Sequence, residues 1–173
     1  MSEAVAQHPS RVPELHLLDQ VRFGGCDRIL FVECGDGWGA EEAWRRAQKA
    51  YVFGVDRSRD AVACAERLRR IPGRLEFSLW DGRHLPCADQ TFDKVIAAGV
   101  LGRARNPAAV LMELRRVLRA GGECYFGESG ESPELVRLGP SAGFTAVRTL
   151  RSAAGTVHQG EADRRWAVRR SYR

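Results

Sequence analysis

The sequence has no apolar run near the roughly 20 residues needed to cross a bilayer. Its opening stretch, MSEAVAQHPSRVPELH, holds neither the basic segment nor the apolar segment that directs export. A cytoplasmic protein without a membrane partner is the expectation. Cysteine occurs five times, at Cys26, Cys34, Cys64, Cys87 and Cys124, but never as a C-x-x-C pair. Three of these lie in apolar stretches, where a buried thiol is the ordinary reading. The histidines His8, His16, His84 and His158 form no H-E-x-x-H pair, so neither residue type predicts a metal site. Also missing is G-x-x-x-x-G-K-[ST], whose absence argues against a nucleoside triphosphate site.

What is present is one domain's worth of chain. A length of 173 residues, 44% hydrophobic and 28% charged, suits a single soluble globular domain rather than a disordered or repetitive one. The formal net charge of +5 is unevenly placed, because Arg164, Arg165, Arg169, Arg170 and Arg173 account for all of it. The rest of the chain is charge-balanced, and the case for a nucleic-acid partner rests on that terminal patch alone.

Along the chain, short apolar runs alternate with helical patterns. Residues 1–25 read as a polar arm with a short helix through Glu14 to Val21, and residues 26–173 as the main domain. Strands are predicted at Arg28–Glu33, Tyr51–Asp56, Leu75–Trp80, Phe92–Ala98 and Glu123–Phe126. Helices are predicted at Ala40–Ala50, Arg59–Arg70 and Pro107–Leu118, with a short one at Pro133–Leu138. Two last strands, Thr145–Leu150 and Arg165–Arg170, are too close for a crossover helix and should pair antiparallel. The fold expected is α/β, a three-layer Rossmann-like arrangement around a seven-stranded mixed sheet with an antiparallel final strand. On that reading Arg164 and Arg165 begin near the ligand-binding edge of the sheet and the later arginines leave at the opposite edge.

Chemistry concentrates in one unit of strand, glycine turn, helix, strand and acid. The turn reads Glu33-Cys34-Gly35-Asp36-Gly37-Trp38-Gly39, and Asp56 closes the next strand. Closely spaced glycines let a ligand approach backbone, and the following helix offers unpaired N–H groups. An acid at the end of the adjacent strand can accept hydrogen bonds from ribose hydroxyls. These features predict a nucleoside cofactor, but the spacing is G-x-G-x-G rather than the G-x-G-x-x-G of dinucleotide sites, and no basic residue stands ready for a diphosphate.

This pattern resembles the class I S-adenosylmethionine-dependent methyltransferase family, in its compact small-molecule type. The similarity runs from about Arg28 to Phe126 and includes Leu85-Pro86, Asp89, Phe92-Asp93 and the stretch Leu111 to Glu123. The resemblance implies S-adenosyl-L-methionine as cofactor. It implies that Glu33, Gly35, Asp36, Gly37, Trp38 and Gly39 wrap its amino-acid part, that Asp56 with Arg57 holds the ribose, and that Trp80, Asp81 and Gly82 border the adenine. Ala98, at the end of the fourth strand, completes the set of cofactor-binding residues. Trp38 could equally brace the helix that follows it.

The sequence also departs from the family's pattern. Glu33 is longer than the usual aspartate, and Ala120 replaces a proline before Gly121-Gly122. Around Gly99, Gly102 and Arg103 the histidine or aromatic pair of many relatives is absent, so no catalytic base is named. His84 and His158 are conceivable bases, although a surface position is the simpler reading of each. Arg103 and Arg105 either attract an anionic acceptor or form a solvated loop.

Short inserts after the fifth and sixth strands leave the arm 1–25 and the loop 99–107 as walls of an open acceptor site, or leave the site to be completed by a second subunit. The expected activity is direct methyl transfer to a small or carrier-presented molecule. The alternatives are an RNA or protein methyltransferase, or a noncatalytic cofactor-binding or partner subunit.

Overall fold

The computed structural model describes residues 12–24, 28–48, 50–128, 137–152 and 155–163. Helix α1 (Val12–Gln20) precedes strand β1 (Arg28–Val32), helix α2 (Trp38–Ala47), strand β2 (Tyr51–Asp56), helix α3 (Arg59–Arg69) and strand β3 (Leu75–Leu79). Strand β4 (Phe92–Ala98), helix α4 (Pro107–Val117) and strands β5 (Leu118–Glu128), β6 (Phe144–Ser152) and β7 (Gly155–Ala162) complete the order.

The seven strands form one sheet in the order β3-β2-β1-β4-β5-β7-β6. Pairings from β3 through β5 are parallel, and β7 runs antiparallel between β5 and β6. The expected three-layer α/β fold with a seven-stranded mixed sheet is therefore the one observed.

Strand alternation divides the core between two faces. Ile29 and Phe31 of β1 pack with Leu17, Leu18, Ala40, Ala43 and Ala65, so α1, α2 and α3 cover one face. Leu30 and Val32 point the other way, towards Val110, Leu111 and Leu114 of α4. The helices start where side chains can cap them. Ser58 accepts the Ala61 N–H at 3.2 Å, and Asn106, followed by Pro107, accepts the Ala109 N–H at 3.1 Å.

Three boundaries differ from the sequence reading. Helix α2 begins at Trp38, directly on the glycine turn, because Gly37 in a left-handed conformation takes the cap position. Gly121 and Gly122 lie inside β5 rather than ahead of it, and the ladder with β4 is irregular between Phe92 and Lys94. A Cβ on Gly122 would lie 2.9 Å from the Asp93 carbonyl oxygen, so only glycine lets the strands approach there.

The third difference is the last strand. The antiparallel partner of β5 and β6 is Gly155–Ala162, whereas the strand expected at Arg165–Arg170 lies outside the described residues. Its sequence, GTVHQGEA, looks like a polar connection because few of its positions are apolar. Val157, Gly160 and Ala162 are nevertheless buried, and Gly160 sits against Phe144. Since Thr156 faces Glu128 and Glu161 faces Glu123, β7 already reaches the edge opposite the carboxyl ends of the parallel strands at Ala162. Most of the helix expected at Pro133–Leu138, Trp166, Cys26 and the terminal arginines are likewise outside the described residues.

Candidate functional site

The carboxyl ends of β1, β2, β3 and β4 lie along one edge, and the chain order reverses between β1 and β4. Open α/β sheets bind ligands at such a switch point. The glycine turn follows β1 here, and it is held by the end of β2. The Asp56 side chain accepts the Gly35 N–H through Oδ2 and the Ser58 N–H through Oδ1, both at 2.8 Å. Asp56 is 8% exposed, so its remaining acceptor capacity is confined to one open direction.

The three glycines of the turn have different tasks. A Cβ on Gly35, whose φ is +55°, would meet none of the described residues within 4 Å. On Gly37 it would lie 2.7 Å from Phe77 and 2.9 Å from Ala65, and on Gly39 it would lie 2.6 Å from Phe31. Only Gly35 opens onto empty space, while Gly37 and Gly39 let α2 settle on the sheet. Asp36 accepts the Trp38 N–H at 3.1 Å, and Arg69 of α3 binds both the Asp36 carbonyl and its side chain. Arg69 also pairs with Glu41, so α2, α3 and the turn share one cation.

Glu33 follows β1 directly at φ +60°, a conformation unfavourable for a residue with a side chain. Its nearly buried carboxylate accepts two hydrogen bonds from Arg57, at 2.6 and 3.1 Å. The Arg57 stem passes over Gly82, where a Cβ would be 3.0 Å from Cδ. Arg103 also reaches Glu33, at 3.5 Å, and donates to the carbonyls of Gly99 at 2.9 Å and Ala98 at 3.2 Å.

Beyond β3, Asp81 accepts the backbone N–H groups of Arg83 and His84, each at 2.7 Å. Those two bonds hold its carboxyl below the ordinary carboxylate range. The segment 85–89 is pinned to α4 through Arg116, which binds the carbonyls of Leu85 and Cys87 and the Asp89 side chain. Glu113 of the same helix accepts the Leu85 N–H at 3.0 Å. Between the Asp81–His84 turn and the start of α4 lies a cavity of about 830 Å³, lined by Arg57, Asp81, Gly82, His84, Arg103 and Asn106 among others.

The structure therefore gathers Glu33, Gly35, Asp36, Asp56, Arg57, Asp81, Gly82 and Ala98 along one edge. Four other predicted residues face the core, Gly37 against Phe77 and Ala65 among them. Trp38 is buried at the start of α2. Gly39 faces the core, and Trp80 packs among Leu85, Val100 and Leu101 rather than lining the cavity. His84 is exposed on the cavity wall, whereas His158 is buried in β7, with Nδ1 3.0 Å from the Thr149 hydroxyl. Burial, reinforced by Asp56, pushes the Cys34 thiol far up, which disfavours a nucleophilic thiolate there. The arginine clamps at positions 57, 69, 103 and 116 had no sequence signature, because each reaches across sequence to a partner that only the fold brings near.

A family model described as a methyltransferase domain matches residues 30–126, the span that carries this edge. The chain belongs to the class I S-adenosylmethionine-dependent methyltransferase family. Among curated members, phthiotriol/phenolphthiotriol dimycocerosates methyltransferase 1 of Mycobacterium ulcerans is 32% identical over 123 residues, which are 71% of this chain and 45% of that protein. Methyltransferase GfsG of Streptomyces halstedii is 33% identical over 156 residues, 87% of this chain and 55% of that one. The chain thus spans about half the length of the curated relatives it matches. The crystal structure of a SAM-dependent methyltransferase from Aquifex aeolicus superposes with a TM-score of 0.73 at 20% identity, covering 91% of this chain and 94% of that one. At that identity the superposition speaks for the fold alone.

The residues present suit the family's cofactor. Each Asp56 oxygen carries a single backbone hydrogen bond and can still accept from a ribose hydroxyl. Open space faces the Gly35 Cα, and the Glu33 carboxylate with the Ala98 and Gly99 carbonyls presents only acceptors, as an ammonium requires.

Proposed function

We propose that the protein binds S-adenosyl-L-methionine and transfers its methyl group directly to a small or carrier-presented molecule. The observation that carries this reading is the Asp56 carboxylate, nearly buried, fixed by the Gly35 and Ser58 N–H groups and adjoining the open face of Gly35. When bound, S-adenosyl-L-methionine supplies a methyl group on a positively charged sulfur. The chain's contribution is to hold and orient, which can account for much of a displacement's acceleration. Asp56 fixes the ribose, the glycine turn accommodates the amino-acid end, and the Asp81 turn borders the cavity.

Among the described residues no imidazole or carboxylate is held as an obvious base, since His84 is exposed and His158 is bonded within the sheet. This favours acceptors that are nucleophilic without strong base assistance, such as amines, thiols and carboxylates. The similarity to a methyltransferase named for phthiotriol/phenolphthiotriol dimycocerosates supports a small or carrier-presented acceptor over RNA or protein.

The test is transfer of tritiated methyl groups to panels of small amines, thiols and carboxylic acids, and to RNA and protein fractions. Counts should enter a small-molecule panel and fall at least about 100-fold in Asp56→Ala, in line with loss of charged hydrogen bonds to the cofactor. Incorporation into RNA or protein alone would refute the acceptor class. Tight cofactor binding without transfer to any panel would mark a noncatalytic binding subunit.

A further inference from the structure

The cradle at the ends of β1 and β4 already holds a cation belonging to the chain. The Arg103 guanidinium lies 3.5 Å from the Glu33 carboxylate and donates to the Gly99 and Ala98 carbonyls. All three partners are acceptors, and Glu33 is held against rotation by its two hydrogen bonds to Arg57. Gly99, at φ +62°, turns the chain so that its own carbonyl and that of Ala98 can both face Arg103. A Cβ at Gly99 would lie 3.1 Å from the guanidinium, so the turn also leaves room for it. The Arg103 side chain is 59% exposed, so water can replace its hydrogen bonds when it leaves.

We propose that Arg103 is a displaceable latch: its guanidinium occupies the subsite that the cofactor's ammonium group would take, and cofactor binding requires its release. The inference rests on the cofactor site proposed above. An ammonium has three donors and no acceptor, so it matches the same cradle and competes for the same lone pairs. Release would free Arg103 towards the cavity it already lines, together with the segment between Gly99 and Asn106. Cofactor affinity is then reduced by the fraction of molecules in which the latch is closed.

Two ligands separate the latch from the site itself. S-adenosylhomocysteine carries the amino-acid end, while 5′-methylthioadenosine keeps the adenosine and thioether without it. Calorimetric titration of both into wild type, Arg103→Ala and Arg103→Gln should show S-adenosylhomocysteine binding about tenfold tighter to each variant, as expected when a latch closed in about nine molecules of ten is removed. Binding of 5′-methylthioadenosine should change less than about twofold, because that ligand never meets the cradle. Equal shifts for both ligands, or no shift for either, would overturn the latch while leaving the cofactor site standing. Weaker binding of S-adenosylhomocysteine to the variants would make Arg103 a ligand contact and also overturn it. If neither ligand binds wild type, the cofactor-site reading fails and the latch falls with it.

Discussion

Gly35 and Gly37 both take positive φ, +55° and +81°, yet an added methyl group would meet different surroundings at each. At Gly37 it strikes Phe77 and Ala65 at under 3 Å, inside the packed face between α2, α3 and the sheet. Gly37→Ala combines overpacking with a backbone conformation alanine disfavours, and should cost about 2–4 kcal/mol in chemical denaturation. Gly35→Ala keeps only the conformational cost, about 1–2 kcal/mol, but places its methyl in the space next to Asp56. Cofactor affinity should fall in Gly35→Ala by more than its loss of stability suggests. If the two substitutions destabilise equally and bind equally, this division between a packing glycine and a site glycine is wrong. The motif alone did not contain that division, since the three glycines read identically until Phe31 and Phe77 are placed beneath two of them.

Among the elements, α4 carries the clearest tertiary role. Arg115 is buried and donates to the carbonyls of Gly143 at 3.2 Å, Leu118 at 3.2 Å and Asp163 at 2.7 Å, tying the helix to the starts of β5 and β6 and the end of β7. Burial holds the guanidinium below its usual pKa, but the group retains its charge at any ordinary pH. Arg115→Met would remove three hydrogen bonds from a charged, buried donor and should cost about 2–4 kcal/mol by chemical denaturation. Arg119→Met removes an exposed partner of Asp93 and should cost under about 1 kcal/mol. Indistinguishable midpoints for the two would contradict this role for Arg115.

How far the elements were legible follows from their burial. β1, β2 and β4, covered on both faces, announce themselves as apolar runs, and α3 and α4 by their stripes and caps. β7 did not, because glycine, glutamine and histidine fill a central strand whose buried face is satisfied by Val157, Gly160 and Ala162. The capping role of Gly37 was hidden for a related reason, since a glycine before a tryptophan signals a turn as readily as a helix start.

For the whole molecule, sheet order decides where function can reside. The parallel strands put Glu33, Asp56, Asp81 and Ala98 at one edge although they are spread over more than 60 residues. That gathering was readable in the sequence from alternating strands and helices, whereas the arginines binding its acidic groups were not. α1 belongs to the same body, since Leu17 and Leu18 are fully buried and Leu17 packs against Gly127 at the end of β5. Among the described residues no helix is long and apolar enough to cross a membrane.

We propose that this edge is a nucleoside site organised by Asp56. Its most direct test is calorimetric titration of S-adenosylhomocysteine into wild type and Asp56→Asn, with thermal unfolding confirming that both are folded. Asparagine keeps the size of the side chain but loses its charge and one acceptor oxygen, so affinity should fall about 10- to 100-fold, as expected for losing hydrogen bonds to a charged group. Unchanged affinity in a folded Asp56→Asn variant, or no binding to wild type, would rule out a nucleoside site built on Asp56.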